Sequence, residues 1–389
     1  VARRAVNSLA QKMGQQDFSH EVYEAMTGCL ACKSCAGQCP VKVNVPEFRS
    51  RFLELYHSRY LRPLKDYLIG SLEYTVPYIA RMPRLYNFMM SARPVRWMLE
   101  RAAGMVDSPL LSLVDFAAVC RRWNVEVATP ERLASLADEQ RGKSVILVQD
   151  AFTRFFETPL LVDWVELISR LGYKVYLAPY APNGKPLQVQ GFLKAFEKAA
   201  SFNGQSLLNL QQYRIPLVGL DPAMTLVYRQ EYAKTLQAGK APLVMLAQEW
   251  LIDALPKSEA VKEDEPYHFL PHCTEKTNEP GSIGQWQNIF QRAGLTLQVQ
   301  ASGCCGMSGT YGHETRNART SDTIYGQSWK RLIHTFNQSG RVVADGYSCR
   351  SQVKRQEGVT VLHPLQVLLA RVKEGSVASR FAIEPELSP

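Results

Sequence analysis

The sequence predicts a mixed α+β and α/β chain. It divides into a small helical domain over residues 1–56, a helical linker or clamp over 57–140, repeated α/β units over 141–260 and 261–375, and a tail at 376–389. Three observations predict this order. Two helical stretches flank a tight cysteine cluster near the start. Prolines divide the next stretch into short helices. From Lys143 onward, short β-type runs alternate with helical ones in a pattern that recurs, as expected of a largely parallel sheet.

Residues 57–140 are rich in Tyr, Met, Arg and Pro, with helix breaks expected at Pro63, Pro77, Pro83, Pro94 and Pro109. In the third region SVILV, YKVYLA, IPLVGL, YHFLP, LTLQV, RVVAD and VTVLH are the strand candidates, with helical runs such as Leu160–Leu171 and Ile283–Ala293 between them. A shift of 122 residues lays Trp164 on Trp286, Gly172 on Gly294 and Gly184 on Gly306. It also puts VELISRLGYKVYLAP over QNIFQRAGLTLQVQA, two helix–Gly–strand units in step, so one α/β unit occurs twice. The cysteines do not repeat: Cys273 falls on Ala151, Cys304 on Pro182 and Cys305 on Asn183. The first copy is therefore expected to be a platform without ligands.

Composition narrows the class. Of 389 residues, 46% are apolar and 21% charged, as in a soluble protein with room for two or three cores. The longest apolar runs, such as Leu110–Val114, fall far short of the roughly 18–20 residues that span a bilayer. No apolar stretch follows Arg3 and Arg4, so a cytoplasmic chain is expected, with peripheral contact at the inner membrane face as its one membrane role. The chain opens at Val1 rather than Met and runs directly into helix-like sequence, which predicts the C-terminal part of a longer polypeptide. Nine clustered cysteines without a secretory signal favour metal ligation or redox chemistry over disulfides.

The first cluster reads Cys29-Leu-Ala-Cys32-Lys-Ser-Cys35-Ala-Gly-Gln-Cys39-Pro40. This is the C-x2-C-x2-C-x3-C-P spacing of bacterial ferredoxins, which wraps successive thiolates around a 4Fe–4S cubane. Ala31, Ser34, Ala36 and Gly37 keep bulk away from the sulfides and leave backbone N–H groups free to donate to sulfur. In two-cluster ferredoxins the fourth cysteine serves the other cluster, so either Cys39 or a distant cysteine such as Cys120 closes this one. Structural zinc is the competing occupant, but it usually separates its Cys pairs more widely. Cys120, on the apolar run FAAVCRRW, also reads as a small buried residue.

A second set comprises Cys273, the adjacent pair Cys304 and Cys305 before Gly306, and Cys349. Each follows a strand candidate, so the thiols are expected to converge at the carboxyl ends of neighbouring strands, where open α/β sheets place their sites. Gly303 and Gly306 allow the turn that presents two adjacent thiols to one centre. The set suits a second iron–sulfur cluster, a zinc, or a redox-active vicinal pair. His272 and His313 are candidate ligands or sulfide donors, with a core or surface role the alternative.

This set resembles the cysteine-rich CCG domain of heterodisulfide reductase subunits and of the iron–sulfur subunits of glycolate oxidase and anaerobic glycerol-3-phosphate dehydrogenase. A ferredoxin-like 4Fe–4S segment followed by two CCG-type repeats is their usual order. The chain is most similar to the C-terminal part of fused FAD-linked D-2-hydroxyacid dehydrogenases, particularly the D-2-hydroxyglutarate dehydrogenase type. There a flavin half precedes a segment such as MTGCLACKSCAGQCPVKVNVPEFRSRFLE. The resemblance implies Cys29, Cys32, Cys35 and Cys39 as 4Fe–4S ligands and Cys273, Cys304, Cys305 and Cys349 as a second redox or metal site. It also implies FAD in an upstream portion, since no flavin or nicotinamide fingerprint occurs in these residues. The chain departs from the family in having one ferredoxin motif and in lacking a close partner for Cys349, which Arg350, Ser351 and Gln352 follow.

Between Val41 and Val106 eleven Lys or Arg face five Asp or Glu, interleaved with Tyr60, Tyr67, Tyr74, Tyr78, Tyr86 and Trp97. This segment is expected to form a helical clamp over the cluster that meets the flavin half. Peripheral membrane contact with delivery to a quinone is the second reading, and nucleic acid is not expected. The resulting expectation is an electron-transfer module that relays electrons from flavin to an external acceptor. Its rivals are a catalytic CCG protein of the heterodisulfide reductase type and a zinc-stabilised interaction scaffold.

Overall fold

The computed structural model describes residues 2–12, 18–41, 43–237, 239–256, 263 and 265–374; the tail at 376–389 lies outside them. Five parallel strands form the larger sheet: β1 (Glu126–Val127), β2 (Ser144–Val148), β3 (Lys174–Leu177), β4 (Leu217–Gly219) and β5 (Met245–Leu246), in the order β1-β3-β2-β4-β5. The smaller has β6 (Tyr267–Phe269), β7 (Leu297–Val299) and β8 (Val342–Val343), in the order β7-β6-β8 and again parallel. SVILV is buried at every position, as a strand covered on both faces requires.

The two sheets share one wiring. Ser144 pairs with Lys174 and Tyr267 with Leu297, the same 30-residue step in each. The next step pairs Ile146 with Leu217 and His268 with Val342, three residues longer in the second unit. Helix Thr158–Arg170 of the first unit packs on Pro364–Lys373 of the second, and Ala247–Ala254 of the first packs on Gly281–Arg292 of the second. This exchange builds one apolar core containing Trp164, Trp250, Trp286, Phe290, Leu365 and Leu368. Trp164 and Trp286 are almost wholly buried at matching places, so neither unit completes its core alone.

Three local expectations are corrected. VTVLH yields only a parallel bridge from Leu362 to Val343, because His363 next caps the helix Pro364–Lys373. The two-residue strands β1 and β5 have no run long enough to signal them, and β1 comes from a stretch whose prolines predict only helices. Pro77 does not break its helix but lies inside Leu72–Ile79. A proline there removes the donor that the carbonyl of Glu73 would receive, and the Tyr180 hydroxyl donates to that carbonyl at 2.8 Å instead. The buried partner replaces the lost bond.

Candidate functional site

The first cysteine loop follows helix Phe18–Thr27 and closes through the short helix Ser34–Gln38, with Cys39 capping its end. Ala31 (φ 54°) and Lys33 (φ 61°) adopt the left-handed conformation, which few non-glycine residues accept. Alternating such residues turns backbone N–H groups inward, as in anion-binding nests. The Ala31 N–H points at Cys29 Sγ at 3.5 Å, and the backbone and hydroxyl of Ser34 donate to Cys32. Burial nonetheless pushes the Cys32 thiol above its ordinary value. All four thiols are half-buried.

The second unit grips this loop from two sides. Thr274 Oγ1 donates to the Cys32 carbonyl at 3.3 Å, Ser308 donates to the Leu30 carbonyl, and the Tyr311 hydroxyl reaches that of Gly28 at 3.4 Å. Gly37 faces Thr277 so closely that a Cβ would stand 2.3 Å from Thr277 Cγ2. Only glycine permits that approach.

Cys273 opens helix Cys273–Asn278 after β6, Cys304 and Cys305 follow β7, and Cys349 lies in helix Tyr347–Glu357 after β8. These four thiols meet in a chain: Cys273 with Cys304, Cys304 with Cys305, and Cys305 with Cys349, each within hydrogen-bonding reach. Donation by the Cys273 and Cys305 thiols holds Cys304 far below its usual value, and the two donors are pushed well above theirs. The Gly306 N–H adds a bond to Cys304 Sγ at 3.3 Å. Cys32 of the first loop lies close enough to Cys304 for the two sulfurs to feel each other's charge, so the two sets adjoin.

Of the remaining candidates, His272 is buried beside Cys304. Its backbone N–H donates to Asp345 Oδ1 at 2.7 Å, and its Nδ1 has no partner among the described residues. A Cβ on Gly346 would lie 2.3 Å from His272 Cδ2. His313 instead contacts the Val106 carbonyl at 3.2 Å, and burial lowers its pKa to about 4. Cys120 packs on the shared core with Arg154, Arg121 and Asp115 as its charged neighbours. Gln352, three residues past Cys349, is buried and bonds Ser321 Oγ at 3.0 Å.

The donor sets suit sulfur-ligated groups. The first loop offers four thiols with inward donors, and the second four converging thiols. Among the described residues, no three His, Cys, Asp or Glu side chains stand in the closed arrangement of a single bound ion. A cavity of about 90 Å³ opens at Cys29, lined also by Lys185, Asp221, Met224, Ser308 and Tyr347.

The first unit fills the corresponding place differently. Ala151 begins the helix after β2, Asn183 follows β3, and Met224 lies as far past Leu217 in β4 as Cys349 lies past Val342 in β8. Where the second unit gathers sulfur, the Glu73 carboxylate enters and accepts from the backbone N–H groups of Asn183 (3.3 Å) and Gly184 (2.8 Å). Burial raises its pKa from 4.5 to about 7, outweighing those bonds. A carboxyl raised on folding stabilises the native state fully below the unfolded value and loses that contribution as pH climbs through the folded one. Glu73→Gln is therefore expected to flatten the pH dependence. Its stability relative to the parent should rise by about 3 kcal/mol between pH 4.5 and 8, read from urea midpoints. Parallel curves would show that Glu73 does not titrate there.

Sequence reasoning missed the charges that hold the first loop. Lys33 Nζ pairs with Glu231 Oε1 at 2.6 Å and donates to Gln230 Oε1 at 2.6 Å, and Lys185 Nζ reaches the same Glu231 oxygen at 3.0 Å. Burial lowers the Lys33 pKa to about 8. Lys33 is visible inside the motif, but its partners lie some two hundred residues away.

The chain is 57% identical over 366 residues to D-2-hydroxyglutarate dehydrogenase of Pseudomonas putida, covering 94% of this chain and 36% of that protein. It is 45% identical over 372 residues to the Escherichia coli protein of the same name, covering 95% and 36%. One subunit of the anaerobic glycerol-3-phosphate dehydrogenase of Escherichia coli is 25% identical over 293 residues, 73% of this chain and 71% of its own length. The chain thus spans about a third of the length of these D-2-hydroxyglutarate dehydrogenases. No family model and no solved structure matches it.

Proposed function

We propose that this chain is the iron–sulfur, electron-carrying part of an FAD-linked D-2-hydroxyglutarate dehydrogenase and relays electrons from flavin to an external acceptor. The observation that carries this reading is identity of 57% and 45%, over nearly the whole chain, to dehydrogenases about three times as long. The cysteine geometry supports it. A bound 4Fe–4S group supplies one-electron transfer, which divides the electron pair that oxidation of a hydroxyacid delivers to flavin. Cys29, Cys32, Cys35 and Cys39 would hold that group, and the Ala31 N–H and the Ser34 donors would stabilise charge on its thiolates. Cys273, Cys304, Cys305 and Cys349 would hold a second iron–sulfur group or a zinc. Substrate oxidation belongs to a flavin-bearing portion outside these residues.

The basic, aromatic segment fits a face for that portion. Helices Pro83–Ser91 and Arg93–Met98 bury no residue, and Met82, Phe88 and Trp97 are 61%, 75% and 65% exposed. Between Lys65 and Lys143 there is no lysine, whereas Arg, Met and aromatic residues are plentiful. Protein interfaces favour that composition; membrane-binding surfaces take Lys as readily as Arg. No helix among the described residues is long and apolar enough to cross a membrane.

The Cys304 thiol, held toward thiolate, favours a second reading in which the chain acts chemically on a disulfide, as heterodisulfide reductase subunits do. Iron, acid-labile sulfide and zinc analysis of anaerobically purified protein tests the main reading. It expects about four irons and four sulfides at the first loop. Stoichiometric zinc without sulfide would overturn it and favour an interaction scaffold. Reduction of a disulfide by this chain with reduced viologen as electron donor, lost in Cys304→Ala, would favour the second reading.

A further inference from the structure

We propose that Lys33, held in place by Glu231 and Gln230 of the first α/β unit, sets the reduction potential of the 4Fe–4S group carried by the first cysteine loop. The inference rests on the cluster reading above and gives the cysteine-free unit a redox role.

Lys33 lies between Cys32 and Cys35, in the left-handed conformation at φ 61°. That backbone is costly for a residue with a side chain and persists only where its surroundings enforce it. Here it directs the side chain into protein: Lys33 and Glu231 are each 8% exposed at the side chain, with Nζ 2.6 Å from Glu231 Oε1. The same oxygen takes Lys185 at 3.0 Å, while Glu231 Oε2 has no partner among the described residues. Two ammonium groups therefore share one carboxylate, leaving one net positive charge buried against the loop. The next cation, Lys234, points away to Glu47 at 2.5 Å.

A buried ion pair contributes little to stability, and an uncompensated buried charge is strongly unfavourable. The excess becomes favourable if a negative group stands beside it. A thiolate-ligated iron–sulfur group is such a partner, and one-electron reduction makes it more negative by one unit. The Lys33 charge thus favours the reduced form and raises the potential, since net charge is one of the terms that set it. In water this would be largely screened; in this buried setting it is not.

The test is a redox titration of the anaerobically purified chain, followed by visible absorbance and electron paramagnetic resonance, with iron and sulfide measured in parallel. Lys33→Met removes the positive charge and is expected to shift the midpoint to a more negative value at unchanged iron content. Glu231→Gln removes the opposing negative charge and is expected to shift it the other way. Opposite shifts support the proposal. Wild-type midpoints in both variants, shifts of the same sign, or loss of iron from both would overturn it and reduce the network to a loop anchor. Absence of iron and sulfide from the parent protein would instead sink the cluster reading itself.

Discussion

Replacing Cys32 by Ser is expected to bleach the sulfur-to-iron absorption of the anaerobically purified protein. In the complete flavin enzyme it should slow reduction of an external acceptor at least about 100-fold, since even loss of an outer partner of a metal ligand reduces function by roughly 10- to 100-fold. Substrate-driven bleaching of the flavin should persist, because on the proposed reading that hydride step lies outside this chain. Cys32 is the informative cysteine because it stands between the two thiol sets and its carbonyl is held by Thr274. Stopped-flow absorbance at flavin wavelengths separates the two steps. If flavin reduction is lost as well, the cluster supports the fold rather than carrying electrons.

Gly306→Ala should be the most damaging substitution of a single methyl group. Gly306 holds φ at 85°, and an added Cβ would lie 2.4 Å from the Ser321 carbonyl oxygen, a backbone atom that cannot swing aside. The left-handed conformation alone disfavours a side chain by roughly 1–2 kcal/mol, and the collision forces the turn after Cys305 to move. A loss of more than about 3 kcal/mol is expected, read from urea midpoints, together with thiols at Cys304 and Cys305 that react faster with an alkylating probe. Gly309→Ala in the same loop provides the control: its φ is 66° but nothing lies within 4 Å of the added Cβ, so only the backbone penalty applies. Equal losses in the two variants would show that contact with Ser321 does not matter.

Much of the site was legible because its chemistry is local. Four cysteines within eleven residues fix a loop whatever surrounds it, and a thiol just past a β-type run falls at a strand's carboxyl end if the sheet is parallel. The matched tryptophans, Trp164 and Trp286, likewise marked two helices that the structure places in equivalent positions. Less was legible where the partner is distant. Nothing in the run Leu72–Ile79 announces that Glu73 will fill the first unit's vacant place. The mixed composition of residues 57–140 concealed strand β1, which is too short to show a period of two.

The order of elements after Lys143, the two cysteine sets and their association with strand ends follow from the sequence itself, because periodicity and spacing act over a few residues. Only the tertiary structure decided that the two thiol sets adjoin, that Lys33 meets Glu231, and that each α/β unit completes its core with helices of the other. Those contacts join residues up to about 270 positions apart. They arise from burying apolar faces in three dimensions, which no local pattern encodes.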